Sequence, residues 1–313
     1  MIEKHPLEDL HKQYLKETHY SKETNQLYDL ILNQFINYLK TKNITYARTL
    51  DILAYRQHLR DRGYSTNWIY NQIAAIKSFY KYLRTNYKRL GLDDTYLYDI
   101  MATIKNSKTK TLISKNVMTP QQAKTMILWT KEHRSEIWEY RNFAIIYLMI
   151  TTGLRSIEIR RAKKQDLIIK NNLWILYIRE KENDSKLKYV KITKSVKEAI
   201  DAYLDLRTDT NPYLFISHSR KANTPRLSRH MITWMFKDIL KKCGLGESGL
   251  TPHALRHAAA TFNLMRGGSV ESTKQLLRHA HINTTLIYVE HIERLKDDTE
   301  NEIESFILNA KDI

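Results

Sequence analysis

Apolar residues recur at helical spacing along the first third of the chain. Three of these runs follow residues suited to capping a helix N-terminus, namely Ser21, Thr49 and Ser65. The run after Thr49 stops at Gly63, where a helix can end. The run after Ser65 predicts a helix with one apolar stripe, formed by Ile69, Ile73, Ile76, Phe79 and Leu83. The pattern predicts an all-helical N-terminal domain.

The remainder of the chain predicts helices and one small sheet. The segment "TPQQ" starts a helix with Thr119 as N-cap and Pro120 in its first turn, and the buried run "NFAIIYLMITT" ends at Gly153. Two β-type runs flank "ENDS" in "LWILYIREKENDSKLKYVKI" and predict a β-hairpin. Further helices are predicted over 194–206, 227–243, 252–266 and 269–280. The predicted fold class is mainly α with a small β-sheet (α+β).

One polar segment divides the chain. The segment "KNSKTKTLISKN", residues 105–116, is basic and has no hydrophobic period, which is typical of a linker between domains. We therefore predict a helical domain at 1–108, a linker at 109–116 and a second domain at 117–313. Lys and Arg outnumber Asp and Glu on both sides of the linker, so both domains are expected to contact the same polyanion.

Charge is the strongest signal in the composition. The chain has 51 Lys and Arg against 34 Asp and Glu, a formal charge of +17. Such a field attracts polyanions, and nucleic acid is the favoured partner. An acidic membrane surface is the alternative, but the chain lacks a long amphipathic helix of the kind that lies on membranes. The predicted third helix has a basic stripe without acids between its members, which fits a DNA phosphate backbone or a solvated face: Lys77, Lys81, Arg84 and Lys88.

Cysteine content and hydropathy indicate the compartment. Cys243 is the only cysteine, which excludes a disulfide framework and a zinc site with several thiolates. The N-terminal "MIEKHPLEDL" has no apolar core of a signal peptide, and the longest apolar stretch is too short to span a bilayer. A cytoplasmic protein is expected.

The segment "TTGLRSIEIRR" predicts an anion site. Arg155 follows Gly153 at the start of a new helix, where free backbone N–H groups and the helix dipole favour negative charge. A guanidinium adds a fork of donors that matches two phosphate oxygens. The alternative is an exposed arginine paired with Glu158, three residues further on.

The segment "LTPHALRHAAATF" places His253, Arg256 and His257 at three- and four-residue spacing on one helix. The two histidines, four residues apart, could bind a metal. However, such a site needs a third ligand, the glutamate expected between them is missing, and Arg256 would repel a cation. We predict no metal site.

Two further segments carry candidate residues. Three lysines flank the hairpin turn: Lys181, Lys186 and Lys188. They are either solvated or, if nearby arginines lowered their pKa, able to donate a proton to a leaving oxygen.

The segment "LLRHAHINTTLIYVE" contains His279, His281 and Tyr288. Tyrosines often pack half-buried and histidines often lie at helix ends, but a phenol can also be a nucleophile.

Taken in order, these segments resemble the tyrosine recombinase (phage integrase) family. The match covers the whole second domain, and the first domain is similar to the helical, SAM-like core-binding domain of Xer-type recombinases. The resemblance implies that Tyr288 attacks a scissile DNA phosphate and leaves a 3′-phosphotyrosine. It implies that Arg155 and Arg256 hold the non-bridging oxygens and that His279 hydrogen-bonds the same phosphate. Preorganised cations of this kind stabilise the charge that gathers on a phosphate under attack, so no metal or cofactor is required.

The resemblance also assigns the proton transfers. His253 assists at the tyrosine, and Lys181 protonates the 5′-oxygen; because the hairpin is longer than the usual pattern, Lys186 is an alternative. Most relatives have a glycine immediately before the motif histidine, where this chain has Arg278. This arginine is expected either to tilt the helix end or to add a phosphate contact.

The family resemblance implies a site-specific recombinase that binds double-stranded DNA recombination sites in a C-shaped clamp. Four identical protomers would exchange strands through a Holliday junction, in DNA integration or excision or in replicon resolution, with or without a partner recombinase or accessory protein. The C-terminal segment predicts one more helix, with Ile303, Phe306 and Ile307 on one face. This tail packs on its own domain or docks in trans on the next protomer. A nucleoid-associated location follows from the DNA partner.

Three other functions fit parts of the pattern. A type IB topoisomerase-like enzyme shares the chemistry but would relax supercoils as a monomer. A non-catalytic DNA-binding protein would use the arginines for phosphate contacts only and would form no covalent adduct. A metal-dependent nuclease would be inhibited by chelators.

Overall fold

The structure, a computed structural model, consists of two compact units, Met1–Leu112 and Ile113–Ile313. The described residues are 5–105, 117–179, 188–219, 226–279, 281–283, 285–286, 288–289 and 299–308. The predicted linker at 109–116 and the domain limits drawn from it lie at residues outside this set, so these limits stay predictions. The described residues are mostly helical with one small sheet, which confirms the predicted fold class.

The described residues of the N-terminal unit form four α-helices and a 3₁₀ turn. The side chains of Ser21 and Ser65 accept hydrogen bonds from the backbone N–H groups of Thr24 and Trp68, as their predicted capping role requires. The helix predicted from Thr49 has Arg48 at its N-cap instead. The elements are α1 (Leu7–Glu17), α2 (Lys22–Thr41), α3 (Thr49–Asp61), α4 (Thr66–Asn86) and the 3₁₀ turn Asp94–Leu97.

The core of this unit lies where α2 and α4 pack against each other and against α1. All five members of the predicted apolar stripe on α4 are buried. Helix α1 was not predicted; it buries Leu7, His11 and Tyr14 against the same core.

The C-terminal unit surrounds one buried helix, α6, which packs against α5, α8 and α10. The predicted cap at Thr119 is present and accepts from the backbone N–H of Gln122. The described helices are α5 (Pro120–Glu132), α6 (Ile137–Thr152), α7 (Ser156–Arg161), α8 (Lys194–Leu204), α9 (Arg229–Lys242), α10 (Pro252–Met265), α11 (Val270–Leu277) and α12 (Thr299–Leu308).

The sheet has three antiparallel strands, β1 (Leu167–Lys170), β2 (Leu173–Ile178) and β3 (Lys188–Ile192), in that order. Strands β2 and β3 are the predicted hairpin, with Trp174 opposite Ile192 and Ile178 opposite Lys188. Strand β1 was not predicted. The hairpin turn, 180–187, lies outside the described residues, and so do Lys181 and Lys186.

Gly153 joins α6 to the segment that begins α7. Its φ of +62° is left-handed, as the predicted helix end requires. A Cβ at this position would lie 2.7 Å from Cδ2 of Leu277 at the end of α11, so glycine allows this close approach. The approach brings the start of α7, the middle of α10 and the end of α11 together. None of the helices in the described ranges has the length and apolar character that a membrane span needs.

Candidate active site

Arg256 holds the centre of the site together. Its side chain projects from α10 and is 1% exposed. Nη1 donates to the carbonyl oxygen of Gly153 and Nη2 to that of Leu277, each at 2.5 Å. Burial, with a smaller contribution from the charge of Arg155, lowers the pKa of Arg256 to about 10, so the guanidinium is charged at neutral pH. Arg256 thus joins α10 to the ends of α6 and α11.

Arg155 stands at the N-cap of α7 with its side chain 41% exposed. Its backbone N–H donates to Oε2 of Glu158 at 2.7 Å, and its Nη1 donates to Oε1 of the same carboxylate at 3.0 Å. The ion pair between Arg155 and Glu158, the alternative considered from the sequence, is therefore present. It does not exclude an anion site, because the guanidinium keeps further donors and an exposed side.

Arg278 fills the position where the resemblance expects glycine. It has a left-handed backbone (φ +57°, ψ +40°) at the C-cap of α11. Its side chain is 6% exposed, and Nη2 donates to Oε2 of Glu158 at 2.9 Å. The guanidinium therefore points towards Glu158 on α7.

His279 follows Arg278, and its Nδ1 lies 2.9 Å from Oγ1 of Thr285. Burial, followed by the positive charges of Arg256, Arg155 and Arg278, lowers the pKa of His279 to about 4. The imidazole is thus neutral at physiological pH and suited to hydrogen bonding.

Tyr288 lies in a helical stretch after α11 and packs against Ala260 and Leu277. Its ring is 3% exposed, and its hydroxyl lies 2.7 Å from Nδ1 of His257. Burial raises the pKa of Tyr288, whereas the charges of Arg256 and Arg155 oppose that rise. The phenol therefore lies close enough to both arginines for their positive field to act on it.

The contact between His257 and Tyr288 is the feature that sequence reasoning missed. His257 was identified as part of the motif but given no role, and His253 was expected at the tyrosine. In the structure, His253 is exposed, and its ring stacks edge-to-face on His257 with centroids 4.4 Å apart. The spacing of four residues placed both rings on the same side of α10, so it indicated two candidate histidines without choosing between them.

The basic stripe of the N-terminal unit is less uniform than its sequence pattern. Lys77 and Lys81 are exposed on α4. Arg84 forms an ion pair with Asp99, an acid from outside the helix. Lys88 lies beyond the end of α4, so the stripe does not continue on one helix face as the spacing suggested.

In the ranges that the structure describes, no three His, Cys, Asp or Glu side chains come together as a metal site. The positive charges of Arg155 and Arg278 act on Arg256, so this part of the fold concentrates positive charge.

Comparison with known proteins agrees with this arrangement. The phage integrase family model matches residues 116–294, and the model of the N-terminal SAM-like domain of phage integrases matches residues 7–88. The chain is 30% identical over 277 residues to tyrosine recombinase XerA of Pyrococcus horikoshii, covering 88% of this chain and 85% of that protein. It is 29% identical over 266 residues to tyrosine recombinase XerC of Herpetosiphon aurantiacus, covering 82% and 81%.

Solved structures show the same fold. XerH bound to a palindromic difH substrate, in a post-cleavage complex, superimposes with a TM-score of 0.74 at 19% identity over 96% of this chain and 84% of that chain. The Tn1549 transposon integrase in complex with circular intermediate DNA gives a TM-score of 0.64 at 17% identity, over 90% and 94%.

The chain belongs to the phage integrase family. It is a Xer-like tyrosine recombinase, an enzyme that cleaves DNA at specific sites and rejoins the strands. The predicted family, enzyme class and DNA partner are thereby confirmed, whereas the roles of individual residues stay predictions.

Proposed function

We propose that this recombinase acts through a 3′-phosphotyrosine on Tyr288 and a Holliday junction, in integration or excision of DNA or in replicon resolution. The observation that carries the proposal is the hydroxyl of Tyr288, 2.7 Å from a histidine nitrogen and within the field of Arg155 and Arg256. A phenol has a pKa near ~10, so at neutral pH it needs both a proton acceptor and positive charge in order to attack.

Three groups would hold the scissile phosphate. Arg155 has an exposed guanidinium at a helix N-terminus, which suits a non-bridging oxygen. Each terminal nitrogen of Arg256 donates one hydrogen bond to a carbonyl oxygen. The guanidinium has further N–H groups that could bind the phosphate. His279, neutral at physiological pH, would add a hydrogen bond as the charge on the phosphate increases.

The proton transfers complete the step. The phenolic oxygen of Tyr288 forms a bond to phosphorus and releases its proton to a histidine. His257 lies in contact with the hydroxyl, and His253 beside it is the acceptor implied by the family. The bond from phosphorus to the 5′-oxygen breaks, and that oxygen takes a proton from Lys181, with Lys186 as the alternative. Rejoining reverses the step, so the phosphodiester energy is conserved and no cofactor is consumed.

Labelled substrates test this route. A duplex carrying a candidate site from the DNA flanking the gene is labelled on either side of the cut and incubated with the protein in chelator. We expect the label on the 5′ side of the cut to stay with the protein and two duplexes to yield a Holliday junction. A protein-bound 5′ end, or relaxation of any plasmid by a monomer without strand exchange, would contradict the proposal.

We also propose that four protomers assemble on two sites and that α12 docks in trans. Ile303 and Ile307, one helical turn apart on α12, are 52% and 63% exposed, as expected for a face that is completed by a partner. Deletion of residues 296–313 should leave DNA binding by monomers intact and abolish assembly of two sites, as measured by native gel and light scattering. Unchanged assembly and cleavage would refute the docking.

A groove in the C-terminal unit is the surface that we propose to receive α12. It has a volume of about 380 Å³ and is lined by Trp129, Trp138 and Trp234, the last being 64% exposed. Trp234→Ser should weaken assembly as the tail deletion does, whereas the exposed Leu206→Ser, outside the groove, should not. If the Trp234→Ser and Leu206→Ser variants assemble equally well, this groove is not the surface that receives α12.

The proposed reaction takes place on replicons or mobile elements. We therefore propose a cytoplasmic, nucleoid-associated location, which fluorescence of a tagged protein over the nucleoid would test. Fluorescence excluded from the nucleoid would contradict it.

A further inference from the structure

Arg278 has a backbone conformation that an L-residue rarely adopts. Its φ of +57° lies in the left-handed region, where a side chain costs free energy that glycine avoids. The conformation ends α11 in the way that a C-cap glycine would. Contacts of the arginine side chain must therefore offset the free-energy cost of this backbone conformation.

The side chain makes four described hydrogen bonds. Nη1 donates to the carbonyl oxygens of Leu276 at 2.8 Å and Thr152 at 3.3 Å, which lie near the ends of α11 and α6. Nη2 donates to the carbonyl oxygen of Gly153 at 3.4 Å and to Oε2 of Glu158 at 2.9 Å. The guanidinium thus ties α6, α7 and α11 together. These three elements carry Arg155 and the chain leading to His279.

Glu158 is shared between two arginines. Its Oε1 accepts from Nη1 of Arg155, and its Oε2 accepts from the Arg155 backbone and from Arg278. The carboxylate side chain is 10% exposed, so its negative charge must be balanced by protein groups. With Arg278 present, the cluster of these three side chains keeps one net positive charge. Without it, Glu158 and Arg155 would neutralise each other.

We propose that Arg278 is a positioning residue for strand cleavage: it binds Glu158 so that Arg155 keeps its positive charge available to the scissile phosphate. The inference rests on the proposed role of Arg155. Arg278 itself is 6% exposed and ion-paired with Glu158, so the inference places its effect on Arg155 rather than on the phosphate directly. Its bond to the carbonyl of Leu276 also fixes the end of α11, from which His279 follows.

Paired substitutions at Arg278 and Glu158 test the idea. The variants are Arg278→Gly, which relieves the backbone strain, Glu158→Gln, which keeps a capping oxygen without charge, and the double variant. The readouts are the single-turnover rate of covalent adduct formation at saturating nicked duplex, the affinity for the same duplex, and the melting temperature.

We expect Arg278→Gly to form adduct about 10–10²-fold more slowly, the size expected when a catalytic group is slightly misplaced, with affinity nearly unchanged. Glu158→Gln should slow the wild type, because Arg155 and Arg278 lose the carboxylate that orients both guanidinium groups. It should accelerate Arg278→Gly, because there it removes the negative charge that neutralises Arg155. Arg278→Lys should recover part of the rate through its charge. A residue that only stabilises the fold would lower the melting temperature, and Glu158→Gln would then slow both backgrounds.

A wild-type rate for Arg278→Gly, or slowing of both backgrounds by Glu158→Gln, would overturn the inference. If Arg278→Gly fails to fold, the same comparison in the Arg278→Asn background decides, because asparagine is uncharged and tolerates a left-handed backbone. Acceleration by Glu158→Gln is expected there, and slowing is the contrary result. A wild-type protein that forms no adduct would instead refute the proposed function, so the two failures are distinguishable.

Discussion

Replacing Arg256 with alanine removes a side chain that holds three elements together. The guanidinium donates to the carbonyl oxygens of Gly153 and Leu277, both at 2.5 Å, in an environment where the residue is 1% exposed. Alanine deprives both carbonyls of a charged donor, and water has poor access to replace it. We therefore expect a loss of both stability and cleavage.

The loss of stability follows from these two bonds. Hydrogen bonds to charged groups contribute about 1.5–3 kcal/mol each, which gives about 3–6 kcal/mol. Burying the guanidinium has a cost of its own, visible in the pKa lowered to about 10, and alanine removes that cost. We therefore expect the lower end of the range, about 3 kcal/mol, or a fall in melting temperature of about 6–12 °C for a unit of this size.

The assay measures chemical unfolding and single-turnover cleavage on the same preparations. Cleavage by Arg256→Ala, measured well below its melting temperature, should fall by about 10²–10³ or more, as for a lost oxyanion donor. Arg229→Ala, at an exposed arginine on α9, is the control and should change stability by less than ~0.5 kcal/mol. If Arg256→Ala is as stable as the control, the guanidinium does not bridge the helices. If cleavage falls by less than tenfold, Arg256 is not part of the active site.

Three further variants test separate parts of the account. Arg155→Ala should lower the rate of cleavage by about 10²–10³-fold. It should lower the free energy of unfolding by less than ~1 kcal/mol, because the ion pair of Arg155 is partly exposed. Cleavage within tenfold of the wild type would contradict the role of Arg155. For His279, the unfolded chain binds a proton below pH ~6.5 and the folded protein only near pH 4, so stability falls as the pH drops through that window. His279→Asn should reduce this fall, measured by urea unfolding at pH 7 and pH 5, and an identical fall would be inconsistent with a half-buried, neutral imidazole. Lys77→Ala with Lys81→Ala should reduce the salt dependence of DNA binding by up to about two phosphate contacts, measured as the slope of log affinity against log salt, and an unchanged slope would exclude them from the interface.

Local signals in the sequence specified much of the fold. The caps at Ser21, Ser65 and Thr119 and the helix end at Gly153 were predictable because each depends on chemistry within a few residues. Strand β1 was not predictable in the same way. It has four residues, of which only three are apolar, and it becomes a strand because β2 supplies its hydrogen-bonding partner.

The same distinction applies to the site. Motif spacing identified the residues that α7, α10 and α11 bring together. Spacing could not decide which of His253 and His257 contacts Tyr288, because both lie on one side of α10 and the choice depends on how a later segment packs. The direction of the Arg278 side chain is likewise set by Glu158, 120 residues away in the chain.

The most direct test of the central claim compares Tyr288→Phe with the wild type. Both proteins are incubated in chelator with a nicked suicide duplex of the candidate site and analysed on a denaturing gel. The account predicts a slowly migrating covalent adduct for the wild type and none for Tyr288→Phe, with equal DNA binding by both, because only the hydroxyl is lost. An adduct that persists in Tyr288→Phe would show that another residue is the nucleophile and would contradict the account.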